Sequence, residues 1–228
     1  MKRFKGFADA DGKFFKALAK NQDREWFQEH KEEFEAGWNQ PMKDLLADLH
    51  EAIDRSYVHC DLDEPKVFRI FRDVRFSKDK SPYKTFVAGC IPTKRASKVT
   101  ETPVAIYMHF GTENVIASGL YTMDAPVVAR YRAAVADEAR GKELVKILAK
   151  LERRGFSSGS LHDDVLKKVP KGFDPDHPRG ELLKRKSLGV SYPALPKGRL
   201  ASPELLPWLV EHSKQVASLV EWLVFATA

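Results

Sequence analysis

Apolar positions in the first fifty residues recur at helical spacing. Phe14, Phe15 and Leu18 form one group; Trp26, Phe27, His30, Phe34 and Trp38 form a second, strongly aromatic stripe, with Asp11 or Asp23 as candidate caps. Pro41 marks a break or a first-turn position. After it Met42, Leu45, Leu46, Leu49 and Ile53 define another amphipathic helix. At Lys66 the period changes to two. Phe68, Ile70, Val74 and Phe76 then fall on one side of a predicted strand and Arg69, Asp73 and Arg75 on the other. Arg72 breaks that alternation, so either a bulge re-aims it or it is buried with a partner.

A loop over 77–83 leads into a second predicted strand at 85–91, and 93–102 reads as a polar connection. Val104, Ile106, Met108 and Phe110 alternate with Ala105, Tyr107 and His109. A turn at 111–114 then returns the chain through 115–121, which predicts an antiparallel hairpin. Helical patterning resumes at Asp124 and Pro126 with Val127, Val128, Tyr131 and Val135, then at Leu144, Val145, Leu148 and Leu151, ending near Gly155. Residues 156–180 read as loop, 181–186 as a short helix and 188–192 as a strand. Ser202-Pro203-Glu204 opens a last helix whose buried face is Leu205, Leu209, Val216, Leu219, Val220 and Leu223. Strands clustered between helices predict an α+β fold, a mostly antiparallel sheet flanked by N-terminal and C-terminal helices, in a single domain over 1–228.

Composition fits that picture: of 228 residues, 43% are hydrophobic and 31% charged, a globular balance. No apolar run has the length of a signal peptide or a membrane span, and two cysteines are too few to staple the fold. The expectation is a cytoplasmic protein with no membrane partner. The net charge of +6 is concentrated: residues 66–84 hold seven basic and two acidic side chains, and 162–199 hold nine and five. No glycine-rich phosphate loop, nucleophile elbow or dinucleotide fingerprint occurs, so P-loop NTPase, α/β-hydrolase and Rossmann functions lose support. His59, Cys60, Asp61, Asp63 and Glu64 lack any recognised metal-ligand spacing, and neither a metal nor a cofactor is implied.

The run from Phe68-Arg69-Ile70-Phe71-Arg72-Asp73-Val74-Arg75-Phe76 to Ser77-Lys78-Asp79-Lys80-Ser81-Pro82-Tyr83-Lys84-Thr85 resembles an uncharacterised bacterial and fungal family, the domain of unknown function 2461 family. Similar marks recur at Asn21, Arg24, Glu25, Trp26 and Phe27, at Gly119-Leu120-Tyr121, and from Lys171-Gly172-Phe173 through Asp176-His177-Pro178 to Glu181 and Ser187. The resemblance implies one domain of about this length and treats the two basic segments as parts of one design. It transfers no reaction. Where a glycine-richer approach to Tyr121 is expected, this chain has Ala117-Ser118-Gly119.

An anion site needs converging donors. Arg69 and Arg75 share a predicted strand face, with Arg72 beside them and Lys80, Tyr83 and Lys84 returning on the following loop; Lys184 and Lys186 approach from the second basic segment. The competing reading is that Asp73 pairs with Arg69 or Arg75 and that the lysines are solvated. Asp73 and His177 are the proton-transfer candidates; for His177 the favoured competing reading is that Asp176 caps the following turn or helix and His177 bonds backbone. Tyr107 and His109 share the less apolar sheet face, either flooring the same pocket or simply hydrogen-bonded there. These residues predict an anion-binding protein, an enzyme acting on a phosphorylated or carboxylated small molecule in its sharper form. The alternatives are a non-catalytic nucleic-acid-binding module and a basic-faced interaction scaffold.

Overall fold

The structure, a computed structural model, describes residues 3–75, 77–94, 103–159 and 165–228. Helices α1 (Lys13–Lys20), α2 (Arg24–Glu29) and α3 (Lys31–Phe34) open the fold; a π-helical turn at Glu35–Asn39 joins α3 to α4 (Gln40–Ile53), with Pro41 in its first turn. Asp23 caps α2 through the Trp26 amide. At α1 the accepting carboxylate is Asp9 rather than Asp11, taking the amides of Lys13 and Phe14 at 3.0 and 2.9 Å. Asp9 also takes the Trp38 indole N–H, which ties the first turn of α1 to the π-helical turn. The aromatic stripe is core: Phe14, Phe15, Phe27, Phe34 and Trp38 are buried and pack with Phe7 and Phe110.

Among the described residues six strands form one antiparallel sheet in the order β1-β2-β3-β4-β6-β5. They are β1 (Lys66–Val67), β2 (Phe86–Pro92), β3 (Ala105–Gly111), β4 (Val115–Leu120), β5 (Ser157–Gly159) and β6 (Leu188–Ser191). The connecting helices are α5 (Ala125–Ala136), capped by Asp124, α6 (Glu138–Glu152), capped by Asp137, and the short α7 (Gly180–Leu183). The fold is α+β.

Val87, Ile91, Ile106, Met108, Phe110, Leu120 and Val190 point into the core, where α4 covers β2 and the last helix covers β4. Gly89 lets α4 come close: a Cβ there would lie 2.5 Å from Leu46 Cδ1 and 2.8 Å from the Lys66 carbonyl. Gly119, at φ +147°, does the same between strands, since a Cβ would meet the Leu188 carbonyl at 2.3 Å. The glycine of the Ala117-Ser118-Gly119 step therefore serves the β4–β6 approach.

Three expectations need correction. The helix predicted to run on from residue 205 is two, α8 (Leu205–Gln215) and α9 (Ala217–Thr227), parted at Val216, so that each turns its own apolar face inward. Ser157–Gly159, within the predicted loop of 156–180, pairs with β6 as an edge strand too short to show a period. The predicted strand from 66 through 76 stops as regular structure at Val67. Its continuation keeps isolated backbone bonds, from Phe68 N to Ala88 O, from Lys84 N to Ile70 O and from Arg72 N to Pro82 O. From Asp73 onward, short-range side-chain bonds replace the ladder: Asp73 accepts the Arg75 amide and Asp79 accepts the Ser81 amide. The single apolar side predicted from Phe68, Ile70 and Val74 does not form, because Ile70 is buried while Phe68 is 40% exposed; Phe76 lies outside the described residues. The polar connection at 95–102 also lies outside them. Among the described residues no helix is long and apolar enough to cross a membrane.

Candidate functional site

The segment after β1 folds back on itself, Phe71 bridging to Tyr83, and the return leg enters β2. Tyr83 is buried, stacked on Phe27 with ring centroids 4.6 Å apart, and its amide donates to Gln22 Oε1 at 3.0 Å. A cleft of about 510 Å³ opens here, lined by Gln22, Arg72, Asp73, Asp79, Ser81, Tyr83, Lys84 and Phe86 among others.

The cations of this segment are not equivalent. Arg75 grips Asp73 through Nε at 2.9 Å and a terminal nitrogen at 2.7 Å. Those hydrogen bonds are the main reason the Asp73 carboxyl is held down at about 2, so Asp73 stays an ionised, weakly basic partner of Arg75 and is a poor proton carrier near neutral pH. Arg72, expected either to be re-aimed by a bulge or to be buried with a partner, sits part-exposed at the cleft and pairs with Asp79. Asp79 also takes the Ser81 hydroxyl and amide, and these bonds with Arg72 hold its carboxyl far below the usual range. Lys80 donates to the Val74 carbonyl at 2.9 Å.

Lys84 and Arg69 differ from these. Lys84 Nζ donates to the Arg69 carbonyl at 3.0 Å and lies 5.8 Å from the centre of the Phe68 ring. Burial first, and then the charge of Arg69, lower its pKa. Arg69 is exposed, and among the described residues it makes no ion pair. Two cations thus lie within each other's field, one of them half-buried; among the described residues neither makes an ion pair, and the Asp73 carboxylate lies within the field of Arg69.

On the sheet face away from α4, Tyr107 and His109 stand two residues apart on β3. Their neighbours across the ladders include Ala88 and Ala117, small side chains that leave the rings standing above the sheet. Tyr107 Oη is 3.0 Å from His109 Nδ1. Glu113 Oε1, across the β3–β4 turn, is 3.5 Å from Nε2, too long for a good hydrogen bond, and Nε2 is buried without another partner. Burial pushes the Tyr107 phenol up to about 12 and the His109 imidazole down, with Glu113 partly opposing the latter. Phe86 stacks on His109 at 4.2 Å and also lines the cleft, while Phe68, under Lys84, is 6.3 Å from Tyr107. The rings and the cation pair are therefore adjacent.

His177 and Lys184 lie elsewhere. They line a second cleft of about 510 Å³ with Lys167, Lys168, Asp176 and Glu181, and it shares no lining residue with the first. The two basic segments, expected to meet at one hollow, line separate ones. His177 Nδ1 accepts the Arg179 amide at 3.0 Å, Lys184 pairs with Glu181 at 2.6 Å, and Lys186 is half-buried on the same turn.

Residues 12–222 match the family described as a conserved hypothetical protein (DUF2461). The chain belongs to the DUF2461 family. No curated protein and no solved structure matches it. In this DUF2461 chain, two functional features escaped sequence reasoning. Glu113 joins His109 only because the hairpin turn folds it back, and a Tyr-x-His pair followed four residues later by an acid across a predicted turn was the signal available. Arg179 shows no signal, because its partners, three backbone carbonyls and the Glu138 carboxylate, lie some forty positions earlier in the chain. It is 7% exposed and donates to Val135 O at 2.7 Å and Ala136 O at 3.1 Å, closing the C-terminus of α5.

Proposed function

We propose that the protein binds a small anion, a phosphate or carboxylate group, between Arg69 and Lys84 at the mouth of the Arg72–Phe86 cleft. The observation carrying this reading is the like-charge pair itself. Partial burial of an ammonium next to a guanidinium costs free energy in the free protein, and an anion bridging the two removes that cost. Arg69 offers a planar fork and Lys84 a point charge set against an apolar ring, which suits a compact oxyanion. Arg72, already held by Asp79, lines the cleft beside Lys84. A cytoplasmic setting suits the two free thiols, Cys60 and Cys90.

Calorimetric titration of the whole protein with inorganic phosphate tests the reading, alongside Arg69→Met and Lys84→Met. The expected result is saturable binding to the native protein, weakened at least tenfold in each variant. Equal binding by all three, or none by the native protein, removes it. A polynucleotide that binds more tightly than phosphate, with an affinity falling steeply with salt, would replace the pocket with an extended phosphate-tracking surface.

A further inference from the structure

Tyr107, His109 and Glu113 form a connected set that anion binding does not use. The three lie on one hairpin, with a phenol at one end, a buried imidazole in the middle and an exposed carboxylate at the other. A tyrosine that keeps its proton donates it, so Nδ1 accepts from Oη and the ring proton sits on Nε2. That tautomer turns an N–H toward Glu113, whereas the other would turn a bare lone pair toward a carboxylate.

From this arrangement we infer that the outer sheet face carries a general acid–base site, in which Tyr107 Oη exchanges a proton with a small phosphate- or carboxylate-bearing substrate. In the abstracting direction the substrate's proton passes to Oη as the phenolic proton passes to His109 Nδ1, and Glu113 faces the imidazolium so formed. The reverse transfer restores all three groups, and no other reactant is consumed. Tyr107 and His109 are the catalytic residues, Oη meeting the substrate and Nδ1 taking the relayed proton; Glu113 is a positioning residue that acts through His109. The placement of the substrate rests on the Arg69–Lys84 anion reading, while the proton path does not. Phe68 and Phe86 flank the two rings. Among the described residues, Cys90 and Tyr121 also bear on Tyr107 through their charge.

Methanesulfonyl fluoride tests the relay directly, because sulfonylation forms a bond from Oη to sulfur, releases fluoride and needs a base for the phenolic proton. Peptide mass spectrometry of the labelled whole protein should show Tyr107 modified at least tenfold faster than Tyr121, although Tyr121 is the more exposed. His109→Gln should abolish that advantage, and Glu113→Gln, at an exposed position that spares the fold, should reduce it about threefold. Labelling of Tyr107 no faster than of Tyr121, or unchanged in both variants, overturns the proposal. Nitrogen-15 shifts of His109 at neutral pH should report the Nε2–H tautomer in the native protein and a changed ring environment in Tyr107→Phe; an Nδ1–H tautomer overturns it independently of labelling. Saturating phosphate should slow labelling of Tyr107. Phosphate that binds yet leaves the rate unchanged overturns the placement of the substrate. Histidine-dependent labelling with no phosphate binding sinks the anion reading and leaves the proton path standing.

Discussion

The two basic segments, alike in sequence as stretches of excess positive charge, do opposite things in the fold. Residues 66–84 keep their cations at or near the surface around a cleft, pair Lys66, Arg72 and Arg75 with local carboxylates and, among the described residues, leave Arg69 and Lys84 without an ion pair. Residues 162–199 send Arg179 inward, where its guanidinium serves the carbonyls that α5 leaves open, and Glu138 completes the set at 3.2 Å. A guanidinium serves equally as a structural plug or a ligand hook. What separates the roles is whether its acceptors are already in the protein.

Replacing Arg179 by Leu should break this comparison most visibly. It strips the α5 terminus of its buried donors and should cost about 3 kcal/mol of stability, read as a lowered urea midpoint with little change in phosphate binding. Lys84→Met should do the reverse, weakening phosphate binding about tenfold while leaving the urea midpoint nearly unchanged. A smaller gain is expected from Asp73→Asn. Removing a carboxylate that lines the cleft and lies in the field of Arg69 should strengthen phosphate binding about threefold in the same titration.

Two pH dependences sharpen the contrast further. Lys84 is depressed in the free protein and a bound anion favours its ammonium, so affinity is complete at lower pH and fades as pH rises through the depressed pKa. Phosphate binding should therefore weaken below the 10.5 of an ordinary lysine, and Lys84→Arg should flatten the profile. His109 is also depressed, so between its folded pKa and the ordinary 6.5 the unfolded chain holds the extra proton. Stability should slip as pH falls below 6.5, and His109→Gln should remove that slope in urea titrations run at pH 5 and 7.

Regular elements were readable because their signals are local. Leu45, Leu46 and Leu49 repeat at helical period whatever they pack on, and Ile106, Met108 and Phe110 alternate along a strand with one buried face. The segment after Lys66 misled because its alternation was real and its hydrogen bonding was not: Asp73 and Asp79 satisfy nearby amides that a strand would have offered to a neighbour. Within the candidate site, residue types were legible and pairings were not. Asp73 and Arg75 could pair as neighbours in sequence, but that Lys84 reaches back to the Arg69 carbonyl follows only from the fold-back at Phe71 and Tyr83. Arg179 lies furthest from view, its acceptor at Val135 being a backbone atom 44 positions earlier.

Gly89 gives the cationic edge a hidden adjuster. The Leu46 side-chain end lies against it on one side and the Lys66 carbonyl on another, so a single methyl added at that position must displace the first strand, while the leucine can turn aside. Because Lys66 begins the stretch that carries Arg69, such a wedge would reach the Arg69–Lys84 pair through the backbone. The grip on a guest could thus be loosened from behind the sheet with every charge left in place.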